Sequence, residues 1–251
     1  MPPAAARLAA RFWPGPLTLV LRRSAAVPDL VTAGLATVAV RIPAHPIAHA
    51  LLAATRLPVA APSANLFSRP SPTLASHVLD DLDGRIDLVI DGGATTVGLE
   101  STILDLSAPV PAVLRPGAVS IDALREVLPN VQAAEGSVDE TAPMPAPGML
   151  SKHYSPRAPL ILYEGASPRA RARLEEDATA ARAVGKVVGV LDYGGTRDVS
   201  GVAAGLYASL RELDAQPVDL ILVCGCAADT PLGLAIRDRL RRASAGRIVL
   251  V

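Results

Sequence analysis

Phe12-Trp-Pro-Gly-Pro-Leu-Thr-Leu-Val-Leu21 holds three structural signals in ten residues. A helical pattern ends at Phe12, Pro14-Gly15 forms a turn, and Leu17–Leu21 reads as a buried strand with Trp13 anchoring the turn. Working outward, Ala4–Phe12, Pro46–Ala54, Leu74–Leu82 and Ile121–Leu128 carry helical periodicity, with Ser120 a suitable N-cap and Asp122 an early-turn acid. Val38–Ile42, Leu88–Ile90 and Ser101–Leu106 join Leu17–Leu21 as short strand signals bounded by Pro, Gly or Asp. Helices and strands do not alternate strictly, so the first half is expected to form a twisted mixed sheet with helices.

The second half has a different texture. Leu160–Tyr163, Val187–Leu191, Leu220–Val223 and Ile248–Val251 are apolar strand signals, separated by helical stretches at Pro168–Val184, Val202–Leu213 and Leu234–Ala243. That alternation implies parallel βαβ units in a small Rossmann-like sheet. Between the halves, Ala142-Pro-Met-Pro-Ala-Pro-Gly148 holds three prolines, which remove donors and fix φ, and it reads as a linker. The expected division is 1–130, a linker at 131–158, and 159–251.

Composition agrees with an α/β chain. Half of the 251 residues are apolar but only 3% are aromatic, so Ala, Val, Leu and Ile must build the cores. The formal net charge is zero, which argues against a protein whose main task is coating nucleic acid. Lys152 and Lys186 are the only lysines, so the cationic work falls to arginine, whose fork grips carboxylate and phosphate. Cys224 and Cys226 have neither zinc nor disulfide-framework spacing and read as buried thiols. No apolar run reaches the length of a membrane span, and the N-terminal residues lack a signal-peptide pattern. A soluble protein of the cytoplasm is the expectation.

Chemistry-bearing strings lie mainly in the first half. Thr37-Val-Ala-Val-Arg-Ile-Pro43 ends a strand in Arg-Pro, placing a guanidinium at a sheet edge, either as a surface ion pair or as a ligand clamp. Leu57-Pro-Val-Ala-Ala-Pro-Ser-Ala-Asn-Leu66, with Ser68, Ser71 and Thr73 beyond it, runs from a strand signal into a small, hydroxyl-rich loop. Such a loop can bond phosphate or ribose, although Thr73 also suits an N-cap. Asp91-Gly-Gly-Ala-Thr-Thr-Val-Gly-Leu-Glu-Ser-Thr-Ile103 matches neither nucleotide-loop fingerprint, and Leu114-Arg-Pro-Gly117 repeats the Arg-Pro edge. The four histidines show no spacing for a metal or a nucleophilic triad.

Taken in order and spacing, Phe12–Leu21, Val38–Pro43, Pro58–Asn65, Gly92–Thr102 and Leu114–Gly117 resemble the YrdC domain. Pro147-Gly-Met-Leu-Ser-Lys-His-Tyr-Ser-Pro156 and Gly233–Ala243 resemble the linker and final helix of the two-domain Sua-type subfamily. The resemblance implies an L-threonylcarbamoyladenylate synthase, a nucleotidyltransferase that joins L-threonine, bicarbonate and ATP and releases pyrophosphate, with Mg²⁺ accompanying ATP. Partner enzymes would pass the threonylcarbamoyl group to tRNA, and double-stranded RNA or tRNA is a further possible partner. Arg41, Ala61 and Ser101 would form the threonine site. Thr37, Ser63, Asn65, Ser71 and Arg115 would face ATP, and Lys152, His153 and Tyr154 would close over it as a lid. The family's fold begins with a segment of about 80–90 residues that carries a Lys-x-Arg pair. No matching context occurs in this sequence, so weak activity of the 251-residue chain is expected. A non-catalytic RNA- or nucleotide-binding module is the alternative. A carbamoyl-transfer enzyme of hydrogenase maturation would require zinc-finger cysteines that the sequence lacks.

Overall fold

The computed structural model describes residues 1–134, 144, 146, 148 and 150–251. Most of the proline-rich stretch read as a linker, 142–148, therefore lies outside the described residues. The chain forms two compact units, Met1–Pro62 with Glu100–Leu150, and Ser63–Leu99 with Ser151–Val251. Ser63–Leu99, grouped by the sequence with the first half, packs with the second.

The first unit opens with α1 (Pro3–Phe12), which starts at a proline where a missing N–H costs nothing, and buries Ala5 and Leu8 on one face. The Pro-Gly turn follows. A Cβ on Gly15 would lie 2.3 Å from the Phe12 carbonyl oxygen, so only glycine fits there. Trp13 Nε1 donates to the Leu17 carbonyl at 2.6 Å and pins the turn to β1 (Leu17–Arg22). The short helix α2 (Asp29–Thr32) leads to β2 (Thr37–Val40), and α3 (Pro46–Thr55) follows. After the excursion into the second unit, where α4 (Ala75–Leu82) lies, the chain returns as β3 (Thr102–Asp105), β4 (Ala112–Arg115), α5 (Ile121–Val127) and β5 (Gln132–Ala133).

These strands make a sheet ordered β2-β1-β3-β4-β5, with antiparallel β1–β2 and β3–β4 pairs and parallel β1–β3 and β4–β5 pairs. It is mixed, as the irregular alternation implies. Leu17, Leu19 and Leu104 point to one face, against Ala5, Leu8 and Leu124 of the covering helices. Val20 and Ile103 point to the other, beside Ala146. This period of two sets Thr18 on the same face as Val20.

The second unit is built on β6 (Leu160–Glu164), β7 (Val188–Asp192), β8 (Leu220–Cys224) and β9 (Ile248–Leu250), all parallel in the order β7-β8-β6-β9. Helices α6 (Pro168–Ala183), α7 (Val199–Asp214) and α8 (Pro231–Ala243) connect them, each N-capped by a side chain: Ser167, Asp198 and Thr230. Ala170, Leu174 and Ala178 of α6 cover Tyr163 and Leu222 on one face. Leu206, Leu210, Ile236 and Leu240 of α7 and α8 cover Leu160, Leu162 and Val223 on the other. Gly98, at φ +73°, lets the Ser63–Leu99 excursion lie against α7, since a Cβ there would sit 2.3 Å from the Ala203 carbonyl oxygen.

Two strand readings fail. Leu57–Ala61 and Leu88–Ile90 are irregular, and Leu57, Val59, Leu88 and Ile90 are exposed. Apolar β-branched runs give strand propensity, but a strand exists only where a neighbour completes the ladder, and among the described residues neither run is paired. The Val38–Ile42 reading shifts to Thr37–Val40, leaving Arg41 just beyond the strand.

Candidate active site

In the first unit, the parallel β1–β3 pairing brings a hydroxyl pair together: Thr18 Oγ1 and Ser101 Oγ lie 2.7 Å apart, both buried. Arg115, at the end of β4, reaches the same residue. Its Nη2 donates to the Ser101 carbonyl at 3.1 Å and to Ser101 Oγ at 3.3 Å, and its Nε donates to that carbonyl at 3.2 Å. Gly117 makes this close approach feasible, for a Cβ there would meet the Thr102 nitrogen at 2.5 Å.

Arg41 stands beyond β2, where the Pro-Gly turn holds it from both sides. The Gly15 amide donates to the Ile42 carbonyl at 2.9 Å, and Arg41 Nε donates to the Gly15 carbonyl at 2.9 Å. Partial burial, and then the positive charge of Arg115, lowers the pKa of Arg41 from its ordinary value. Two guanidinium groups thus share one field, with Arg115 bonded to the Ser101 hydroxyl, and an anion arriving there would relieve their repulsion.

The remaining first-unit residues are placed apart. Thr37 opens β2 while Arg41 follows its end, about 13 Å along the strand. Thr37 instead lines a crevice of about 240 Å³ with Leu30, Val38 and Met144. Ala61 is exposed on irregular chain.

In the second unit, Ser63 and Asn65 lie in one turn, the Asn65 amide donating to the Ser63 carbonyl at 3.0 Å. Asn65 Nδ2 donates to the carbonyls of Leu66 at 2.7 Å and Arg69 at 3.3 Å, folding the loop on itself and leaving its Oδ1 buried without a hydrogen bond among the described residues. Ser71 is buried, and Thr73 follows at the start of α4. There the Thr73 amide donates to His77 Nδ1 at 3.2 Å. Burial, then the charge of Arg211, lowers the His77 pKa from its ordinary value.

The three residues expected to close over ATP differ in burial. Lys152 is exposed and His153 is half-buried. Tyr154 is fully buried at φ +59°, its ring centroid 5.4 Å from that of Tyr207 and 5.6 Å from the Arg239 guanidinium carbon. A bulky residue in the left-handed region is held there by its surroundings. In this conformation the ring packs in the core. His153 meets Tyr154 edge-on at 4.1 Å and Phe67 at 6.4 Å.

Sequence reasoning missed Thr18 and the cluster around Arg211 and Asp214. A Thr inside an apolar strand, on the face opposite Leu17 and Leu19, was a usable signal for the first. Nothing local marked the second.

Among the described residues no helix is long and apolar enough to cross a membrane. Residues 1–117 match the Sua5–YciO–YrdC family, described as telomere recombination, and residues 119–245 match the threonylcarbamoyl-AMP synthase C-terminal domain. A threonylcarbamoyl-AMP synthase of Pyrococcus abyssi is 43% identical over all of this chain and 76% of its own length. The Bacillus subtilis threonylcarbamoyl-AMP synthase is 43% identical over 99% of this chain and 75% of its own. The crystal structure of P. abyssi Sua5 complexed with L-threonine superposes with a TM-score of 0.93, covering 100% of this chain and 76% of that one. This chain belongs to the Sua5-type threonylcarbamoyl-AMP synthase family.

Proposed function

We propose that the protein makes threonylcarbamoyl-AMP from L-threonine, bicarbonate and ATP, releasing pyrophosphate, as a nucleotidyltransferase that supplies tRNA modification. The observation that carries this reading is the Arg41, Arg115, Ser101 and Thr18 cluster. The Arg41 fork, held through Nε, presents Nη1 and Nη2 to the threonine carboxylate, and the paired hydroxyls offer both donor and acceptor to a small polar side chain. A structural relative of high identity has L-threonine bound.

The threonine amine attacks the bicarbonate carbon, forming a C–N bond and losing water to give the carbamate. A carbamate oxygen then attacks the α-phosphorus of ATP, and the bond to the β-phosphate oxygen breaks as pyrophosphate leaves. Neither step needs a protein nucleophile, so positioning and charge stabilisation dominate. Arg41 fixes the amino acid, and Ser63, Asn65 and Ser71 are assigned to the nucleotide. Mg²⁺ is assigned to the ATP phosphates as part of the substrate, where it would neutralise charge on the leaving pyrophosphate.

Pyrophosphate release should require all three substrates together, with the adenylate identified by mass spectrometry. ATP binding without threonine-dependent turnover would instead favour a nucleotide-binding module.

A further inference from the structure

The cluster missed by sequence reasoning joins the loop assigned to ATP to the C-terminal half of the chain. Arg211, in the last turns of α7, is buried. Its Nη2 donates to the Asp81 carboxylate at 2.6 Å and to the Pro70 carbonyl at 2.7 Å. Longer contacts of 3.4 Å reach the carbonyls of Ser71, through Nε, and His77, through Nη1. One side chain thus collects four acceptors from the segment that leaves the Ser63–Ser71 loop and enters α4.

Three residues on, and so on the same helical face, Asp214 takes a second grip. Its carboxylate pairs with Arg69 at 2.6 Å and accepts from the Arg157 amide at 2.5 Å. The Ser155 amide donates to the Ser68 carbonyl at 2.7 Å, so the chain entering β6 is tied to the same loop. The backbone carbonyls of Ser68, Pro70 and Ser71, with the Arg69 side chain, therefore take part in these contacts. That arrangement fixes the path of the main chain, and the Asn65 bonds to the Arg69 and Ser63 backbone carry it to the rest of the loop.

We propose that Arg211 and Asp214 are positioning residues for nucleotide binding: the C-terminal helix α7 sets the conformation of the Ser63–Ser71 loop. The inference rests on the assignment of that loop to ATP. Lysine carries a point charge and three donors on one atom, so it does not reproduce contacts made separately by Nε, Nη1 and Nη2. The sequence distance matters too, because these contacts make a loop from the first half depend on a helix from the second.

The test uses the full chain and the variants Arg211→Lys, Asp214→Asn and Arg69→Gln, with calorimetric titration of Mg·ATP and of L-threonine on each preparation. ATP affinity should fall about 10- to 100-fold, while threonine affinity stays within about twofold of the parent, and Arg211→Lys should retain more ATP affinity than Arg211→Ala. Hydrogen exchange on the same samples should quicken at residues 63–73 and stay unchanged in β6 and β8, which a general loss of stability would not produce. Folded variants with unaltered ATP affinity and unaltered exchange in the loop overturn the proposal. A parent chain that binds threonine but not ATP removes the loop assignment itself and the inference with it. Should Arg211→Lys fail to fold, Asp214→Asn and Arg69→Gln carry the same readouts.

Discussion

Arg211 and Arg41 are chemically identical and electrostatically opposite. Arg211 is buried with its charge matched by Asp81 and its donors taken by backbone carbonyls. Among the described residues Arg41 is anchored through Nε alone, keeps part of its surface open to solvent, and is affected by partial burial and then by the like charge of Arg115. The first arrangement suits a fixed scaffold, where every group is satisfied before any ligand arrives. The second suits a site, where the favourable partner is still to come.

Substitution should separate the two. Arg211→Ala strands Asp81 in a buried position and is expected to destabilise the protein by about 3–5 kcal/mol, read by chemical denaturation. Arg41→Ala should leave stability within about 0.5 kcal/mol of the parent yet weaken L-threonine binding roughly 10- to 100-fold. Equal stability losses for both would erase the distinction.

A smaller effect comes from His77, which lies beside Arg211. Its folded pKa is lowered, so as pH falls below the ordinary value of 6.5 the unfolded chain takes up a proton before the folded one does. The contribution to stability is full above that value and declines beneath it. Replacing His77 by Asn should flatten the acid side of the stability profile, and an unchanged slope would show that other groups set it. The smallest effect concerns the thiols. Burial pushes Cys224 up to about 11 and raises Cys226, so neither thiol should react with a disulfide reagent at neutral pH until the protein unfolds.

The same contrast explains what could be read from sequence. In the second half strand–helix alternation dictates parallel strands, so the pattern of Leu160–Tyr163 or Leu220–Val223 carries the class of sheet, although the order β7-β8-β6-β9 sets β6 beside β8 and β9 rather than beside β7. In the first half, Leu57–Ala61 and Leu88–Ile90 have the same local propensity and no ladder among the described residues. Propensity names a candidate strand but never its partner. Arg41, Ser101 and Arg115 were legible because their strings resemble a known family, and the structure brings those three together. Thr37 and Tyr154, named by the same route for the nucleotide, stand at the start of β2 and in the core of the second unit. The Arg211–Asp81 pair, 130 residues apart, was illegible because neither residue has an unusual local context. Thr18 had a local signal, a hydroxyl inside an apolar strand, but its partner Ser101 was set against it only by the pairing of β1 with β3.

The account depends most on an amino-acid carboxylate entering the field of Arg41 and Arg115. Parallel calorimetric titrations with L-threonine and L-threoninamide, which differ only at that carboxylate, test it most directly. L-threonine should bind and the amide should bind roughly 10- to 100-fold more weakly, with the difference abolished in Arg41→Ala. Equal affinity for the two compounds, or a difference that survives the loss of Arg41, would contradict it.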